Sequence, residues 1–79
     1  MKVNFERVIQ KIEGTEFDDG YIVRQIRYDV ERLGEEKAAH YLFTMSPSKL
    51  GRLGFLGLRK LAQIKRDYPE KFEKLLKVK

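Results

Sequence analysis

Glycine and proline cut this sequence into short segments, and within each segment the apolar residues recur at helical spacing. Asn4 precedes Phe5, Val8, Ile9 and Ile12, so its side chain can cap a first helix that Gly14 ends in a left-handed turn. After a turn over Thr15 to Gly20, the residues Ile22, Ile26, Val30 and Leu33 form a second stripe, with Asp18 or Asp19 as cap and Gly34 as stop. The same stretch alternates at Ile26, Tyr28 and Val30, and Asp19-Gly20 is a hairpin signal, so a two-stranded ribbon competes with this helix. Helix is the preferred reading, because its stripe is the longer.

The second half is punctuated in the same way. Glu35 and Glu36 suit a helix N-terminus, where the backbone dipole favours anions, and Ala38, Ala39, Leu42 and Met45 follow as the apolar side. Ser46-Pro47 is a start signal: the hydroxyl accepts a first-turn amide, and proline lacks an N–H that the first turn leaves unused. Gly51, Gly54 and Gly57 each cost a helix about 1 kcal/mol relative to alanine, which places a break near Gly54 or Gly57. Leu58, Leu61, Ile64 and Tyr68 then make a helical stripe, and Phe72, Leu75 and Leu76 make a last one. Asp67 and Glu70 have capping-box spacing around Pro69, which leaves a new helix and a kink both open. The expected fold is all-α, a small bundle of four or five short helices containing a helix-turn-helix-like pair. At 79 residues it forms a single domain with a thin core.

Charge sharpens the functional reading. Residues 1–36 hold six bases and nine acids, whereas residues 37–79 hold eleven bases and three acids, so the net charge of +5 is polarised along the chain. From Lys37 to Arg66 there are seven bases, Lys37, Lys49, Arg52, Arg59, Lys60, Lys65 and Arg66, and no acid. This is the stretch on which a polyanion is expected to land.

Residues 33–53 carry a more specific pattern. Leu33-Gly34-Glu35-Glu36-Lys37-Ala38-Ala39 leads into Leu42 and then into Ser46-Pro47-Ser48-Lys49-Leu50-Gly51-Arg52-Leu53. This resembles the helix-turn-helix of phage and bacterial transcription regulators. Leu33-Gly34 with Glu36-Lys37-Ala38, and Lys65-Arg66-Asp67 before an aromatic, are similar to segments of phage transcription activators of this kind. The resemblance implies that Ala38 or Ala39 lets two helices cross closely and that Leu42, Leu50 and Leu53 lock their angle. It also implies that Ser48, Lys49 and Arg52 face a major groove. In such regulators the turn usually holds a glycine; here Phe43-Thr44-Met45 occupies it. Lys37, Arg59, Lys60, Lys65 and Arg66 are the expected phosphate contacts.

Other chemistry finds little support. Cysteine is absent and His40 is the only histidine, so no catalytic residue, metal site or cofactor is assigned and the chain is not read as an enzyme. Glu13, Glu16, Asp18 and Asp19 lack EF-hand spacing and read as a solvated turn. Gly51-x-x-Gly54 has the form of a KH-domain loop, but Leu53 stands where that loop is polar, and the surrounding pattern lacks the strands. The glycines read better as a smooth stripe that a helix or a phosphate backbone can approach. Among the aromatics, Phe5, Tyr68 and Phe72 are expected in the core, with Phe43 and Phe55 exposed. No stretch of eighteen apolar residues occurs and the first residues do not form a signal peptide, so a cytoplasmic protein is expected, away from membranes. DNA is the expected partner. RNA or a ribosomal surface is the alternative, and a homodimer or helical protein partner is the third reading.

Overall fold

The computed structural model describes residues 3–76, in which the chain forms six α-helices and no strand. Met1, Lys2 and residues 77–79, which enter the charge balance above, lie outside the described residues. The helices are α1 (Phe5–Ile12), α2 (Gly20–Leu33), α3 (Glu35–Thr44), α4 (Pro47–Arg52), α5 (Leu56–Asp67) and α6 (Pro69–Leu76). All-α is therefore the fold, with one or two helices more than expected.

The ends of these helices follow from local chemistry. Asn4 accepts the Arg7 amide at 3.2 Å, Asp19 accepts that of Tyr21 at 2.9 Å, and the Ser46 hydroxyl accepts that of Lys49 at 3.2 Å. The Asp19 cap also settles the competition over residues 21–31. Asp19-Gly20 opens α2 and does not turn a hairpin. Gly34 ends α2 and begins α3 with a φ of 84°, and Gly54 at 86° makes the break between α4 and α5. Tyr68, outside the helical region at φ −136° and ψ 64°, separates α5 from α6, so Pro69 starts a new helix. The Asp67 carboxylate does not close a capping box. It is held by Arg66 through bonds of 2.9 and 3.2 Å.

Helix α5 is the hub. It packs against α2, α3, α4 and α6, and α1 closes the bundle against α2 and α6. Phe5, Ile9, Ile12, Ile26, Leu42, Leu50, Leu58, Leu61 and Ile64 fill the centre, all almost wholly buried. Ala38 and Ala39 are buried as expected, but α3 uses its small side against α2 and α5 and makes little contact with α4. The link between α3 and α4 is Met45 and Ser46, both extended, and Phe43 and Thr44 remain helical. Four expectations are corrected here. Leu53 and Tyr68 are nearly half exposed, whereas Phe55 is buried against Tyr41 and Phe43 packs edge-on against Phe72.

The α2–α5 crossing is the tightest contact. A Cβ on Gly57 would stand 2.3 Å from the Ile26 amide nitrogen and 2.5 Å from the Gln25 carbonyl carbon, so the two backbones touch. One turn along α2, the fully buried Asp29 accepts the amides of Gly57 at 2.9 Å and Leu58 at 3.1 Å through Oδ2. Phe55, the N-cap of α5, has no side chain that can do this. The carboxylate that caps α5 therefore comes from another helix. Its Oδ1 is buried without a hydrogen-bond partner, and burial pushes the Asp29 carboxyl above the usual carboxylate range. The two amides and the positive charge of Arg32 oppose that shift without cancelling it.

Candidate nucleic-acid interface

The short α4 lies on α5 and buries Leu50, which turns Ser48 and Arg52 toward the neighbouring face of α5. On α5, Arg59, Gln63 and Arg66 recur at i, i+4 and i+7 and so share one side of the helix. These two sets line a cleft of about 410 Å³ between the helices, with Pro47 and Gly51 as its floor on the α4 side. Gly51 matters to its shape: the Arg59 side chain passes so close that a Cβ at position 51 would meet its Cδ at 3.1 Å.

Four of the eight residues expected to bind nucleic acid, Ser48, Arg52, Arg59 and Arg66, thus converge on one concavity. The other four do not line it. Lys49 is exposed elsewhere on α4. Lys60 follows Arg59 but is turned about 100° around the helix, where it helps to hold the Asp67 carboxyl low. Lys65 faces α3, with its ammonium 5.4 Å from the Phe43 ring centre. Lys37 lies over Tyr41 at 5.9 Å, in the first turns of α3. Gln63 was not singled out from the sequence, and only its spacing from Arg59 and Arg66 signals it.

Charge in the cleft is uncompensated on one side and compensated on the other. Among the described residues neither Arg52 nor Arg59 enters a salt bridge. Arg66 is paired with Asp67, whose carboxyl its hydrogen bonds hold below the usual range. Two guanidiniums with open donor forks beside a serine hydroxyl and an amide make a site suited to phosphate oxygens.

No protein family, characterised protein or solved structure matches this chain. The reading of the surface therefore rests on its own residues. A larger cavity of about 590 Å³ lies between the turn after α1 and α6, lined by Phe17, Lys71 and Leu75 among others. Two of its three lysines are engaged: Lys71 pairs with Glu16 and lies over the Phe17 and Tyr68 rings, and Lys11 donates to the Lys74 carbonyl. In the turn itself Asp18 accepts the Gly14 amide at 3.1 Å. Among the described residues no group of three or more acidic or histidine side chains is arranged to hold a metal ion, and no helix is long and apolar enough to cross a membrane. His40 is exposed, and its carbonyl accepts the Thr44 hydroxyl at 2.7 Å.

Proposed function

We propose that this chain is a DNA-binding domain that seats the phosphates of a duplex in the α4–α5 cleft. The observation that carries this reading is the convergence of Arg52 and Arg59, both without acidic partners, on a concavity that also presents Ser48 and Gln63. Ser48, Lys49 and Arg52, which the helix-turn-helix resemblance turns toward DNA, are all exposed on α4, although α3 does not pack closely on α4 as that motif requires. A duplex is favoured over single-stranded RNA at this surface because the aromatics nearest to it are withdrawn. Phe55 is buried and Phe43 is covered by Phe72 and Lys65, so neither ring is open to a base at the cleft itself.

The two arginines take different roles. Arg59 holds phosphate from α5, and Arg52, on the exposed helix, reads a guanine edge. Titrations of a selected and a scrambled duplex at several salt concentrations separate these roles. Arg59→Ala weakens both duplexes alike and reduces the salt slope by about one unit. Arg52→Ala costs about 1–3 kcal/mol on the selected duplex and little on the scrambled one. Lys65→Ala, on the other side of α5, changes neither by much. Equal losses from Arg52→Ala on both duplexes remove base reading from the proposal. A protein that binds no duplex at low salt, or that prefers single-stranded RNA, removes the proposal itself.

A further inference from the structure

Outside the cleft, the exposed face of α2 carries an alternation that the bundle does not use. Tyr21, Arg24, Tyr28 and Arg32 follow one another at steps of three, four and four residues, which keeps all four in one narrow stripe along the helix. Tyr21 is 49% exposed and Tyr28 is 55% exposed, although tyrosine is a side chain that the core could have used. Among the described residues neither Arg24 nor Arg32 enters a salt bridge. Of the acids on α2, Glu31 turns toward α1, beside Glu6 and Arg27, and Asp29 is buried, with the charge of Arg32 acting on it.

The stripe ends against the residue that opens α5. The Arg32 guanidinium lies 5.3 Å from the centre of the Tyr28 ring and 4.8 Å from that of Phe55, so it is held between two aromatic faces. Phe55 is the residue at which the chain enters α5, directly after the turn that follows Arg52. Arg52 therefore precedes, and Arg32 packs on the residue that follows, one and the same turn.

We infer that the outer face of α2 binds a single-stranded stretch of nucleic acid, with unpaired bases stacked on Tyr28 and Tyr21 and the backbone held by Arg24 and Arg32. This rests on the duplex reading of the cleft, which supplies the paired part of the same molecule. The dimensions agree. Tyr21 and Tyr28 are seven residues apart, about 10 Å along a helix, which is roughly three base steps of a stacked strand. The whole site then takes a junction at which a duplex ends and about three or four unpaired nucleotides continue.

A DNA hairpin with a blunt end and the same hairpin with an overhang of about four nucleotides test this directly. The chain has four tyrosines and no tryptophan, so tyrosine fluorescence reports stacking in the same titration. The overhang is expected to raise affinity about tenfold and to quench tyrosine emission. Tyr28→Ala removes both the gain and most of the quenching and leaves the blunt hairpin bound as before. Tyr28→Phe, which keeps the stacking face, retains the gain in affinity. Tyr68→Ala, an exposed tyrosine at the other end of α5, retains it too. The inference is overturned if the wild type shows no gain from the overhang, or if Tyr28→Ala keeps the gain while its circular dichroism melt matches that of the wild type. It is also overturned if Tyr28→Phe loses the gain. A gain that depends on Tyr28 while Arg52→Ala and Arg59→Ala leave the blunt hairpin unaffected upholds this site and removes the cleft reading alone.

Discussion

Replacing Gly57 by alanine is expected to cost this domain most of its stability, although alanine is the better helix former. In an isolated helix the change gains about 1 kcal/mol. Here the new Cβ would stand 2.3 Å from the Ile26 nitrogen, where ordinary contact begins at 3.4 Å, so α2 and α5 must separate locally by about an ångström. The same displacement acts on the two bonds from Asp29 to the Gly57 and Leu58 amides, now 2.9 and 3.1 Å, and carries them to about 4 Å, beyond hydrogen-bond range. Forcing atoms into a packed contact costs about 1–3 kcal/mol, and a hydrogen bond to a charged group is worth about 1.5–3 kcal/mol. Even with the helix gain set against them, the net loss is about 3 kcal/mol or more. A chain of this size has roughly 3–5 kcal/mol from its core, and each kilocalorie moves the melting temperature by about 4–8 °C. Thermal and urea unfolding followed by circular dichroism are expected to show a melt lowered by at least about 12 °C, or no folded baseline. Gly51→Ala is the matched control, since its Cβ meets only the flexible end of Arg59, and it is expected to be neutral or slightly stabilising. A Gly57→Ala protein within about 0.5 kcal/mol of wild type would refute the crossing as the reason for this glycine.

Asp29→Asn separates the charge of the buried carboxylate from its shape. Because burial raises the Asp29 carboxyl in the folded state, its contribution to stability is present below the unfolded value and declines as pH rises through the raised one. The asparagine variant lacks this decline, so its stability deficit relative to wild type should shrink from acid to neutral pH in urea titrations. A deficit that widens over that range would show that the folded state favours the charged carboxylate. Ser46→Ala removes the cap of α4 and is expected to cost about 1 kcal/mol in the same assay. It should also weaken duplex binding, since Arg52 sits on the helix that frays.

The local half of the structure was readable from residue types alone. Asn4, Asp19 and Ser46 cap the helices that their positions predict, and Gly14, Gly34 and Gly54 take the positive φ values that end them. Three of the four misread side chains, all but Phe43 within α3, lie at helix ends. Leu53 and Tyr68 are the C-caps of α4 and α5, and Phe55 is the N-cap of α5. Helical spacing assigns a face to such residues, but their backbones have already left the helix, or are about to, so the face no longer applies. Tyr68, non-helical at φ −136° and ψ 64°, is carried out of the stripe of Leu58, Leu61 and Ile64 in this way. The basic residues were identifiable as a class, but their grouping was not. Whether Arg59 or Lys65 faces α4 depends on how α5 rotates in the bundle, and that rotation is set by contacts between residues distant in sequence, above all Gly57 against Ile26. Asp29 left one faint sign: it lies three residues beyond Ile26, toward the buried side of α2, where a charge without a partner is costly.

The position of that aspartate follows from the charge pattern of the second half. The run from Lys37 to Arg66 holds seven bases and no acid, and so denies α5 a local carboxylate for its N-terminal amides. An aspartate at position 55 could cap α5. It would then lie three residues from Arg52 and four from Arg59, close enough to offset the charge that the cleft presents. It would also remove the ring that packs on Tyr41 and carries Arg32. Taking the carboxylate from α2 avoids both losses, because Asp29 is wholly buried and reaches the amides from the side facing away from solvent. So short a side chain can span two helices only where their backbones touch, and they touch at Gly57 because no side chain stands between them. The glycine, the buried acid and the acid-free basic run are thus one solution to a single problem, that of capping the start of a helix beside a basic cleft without placing a negative charge in it.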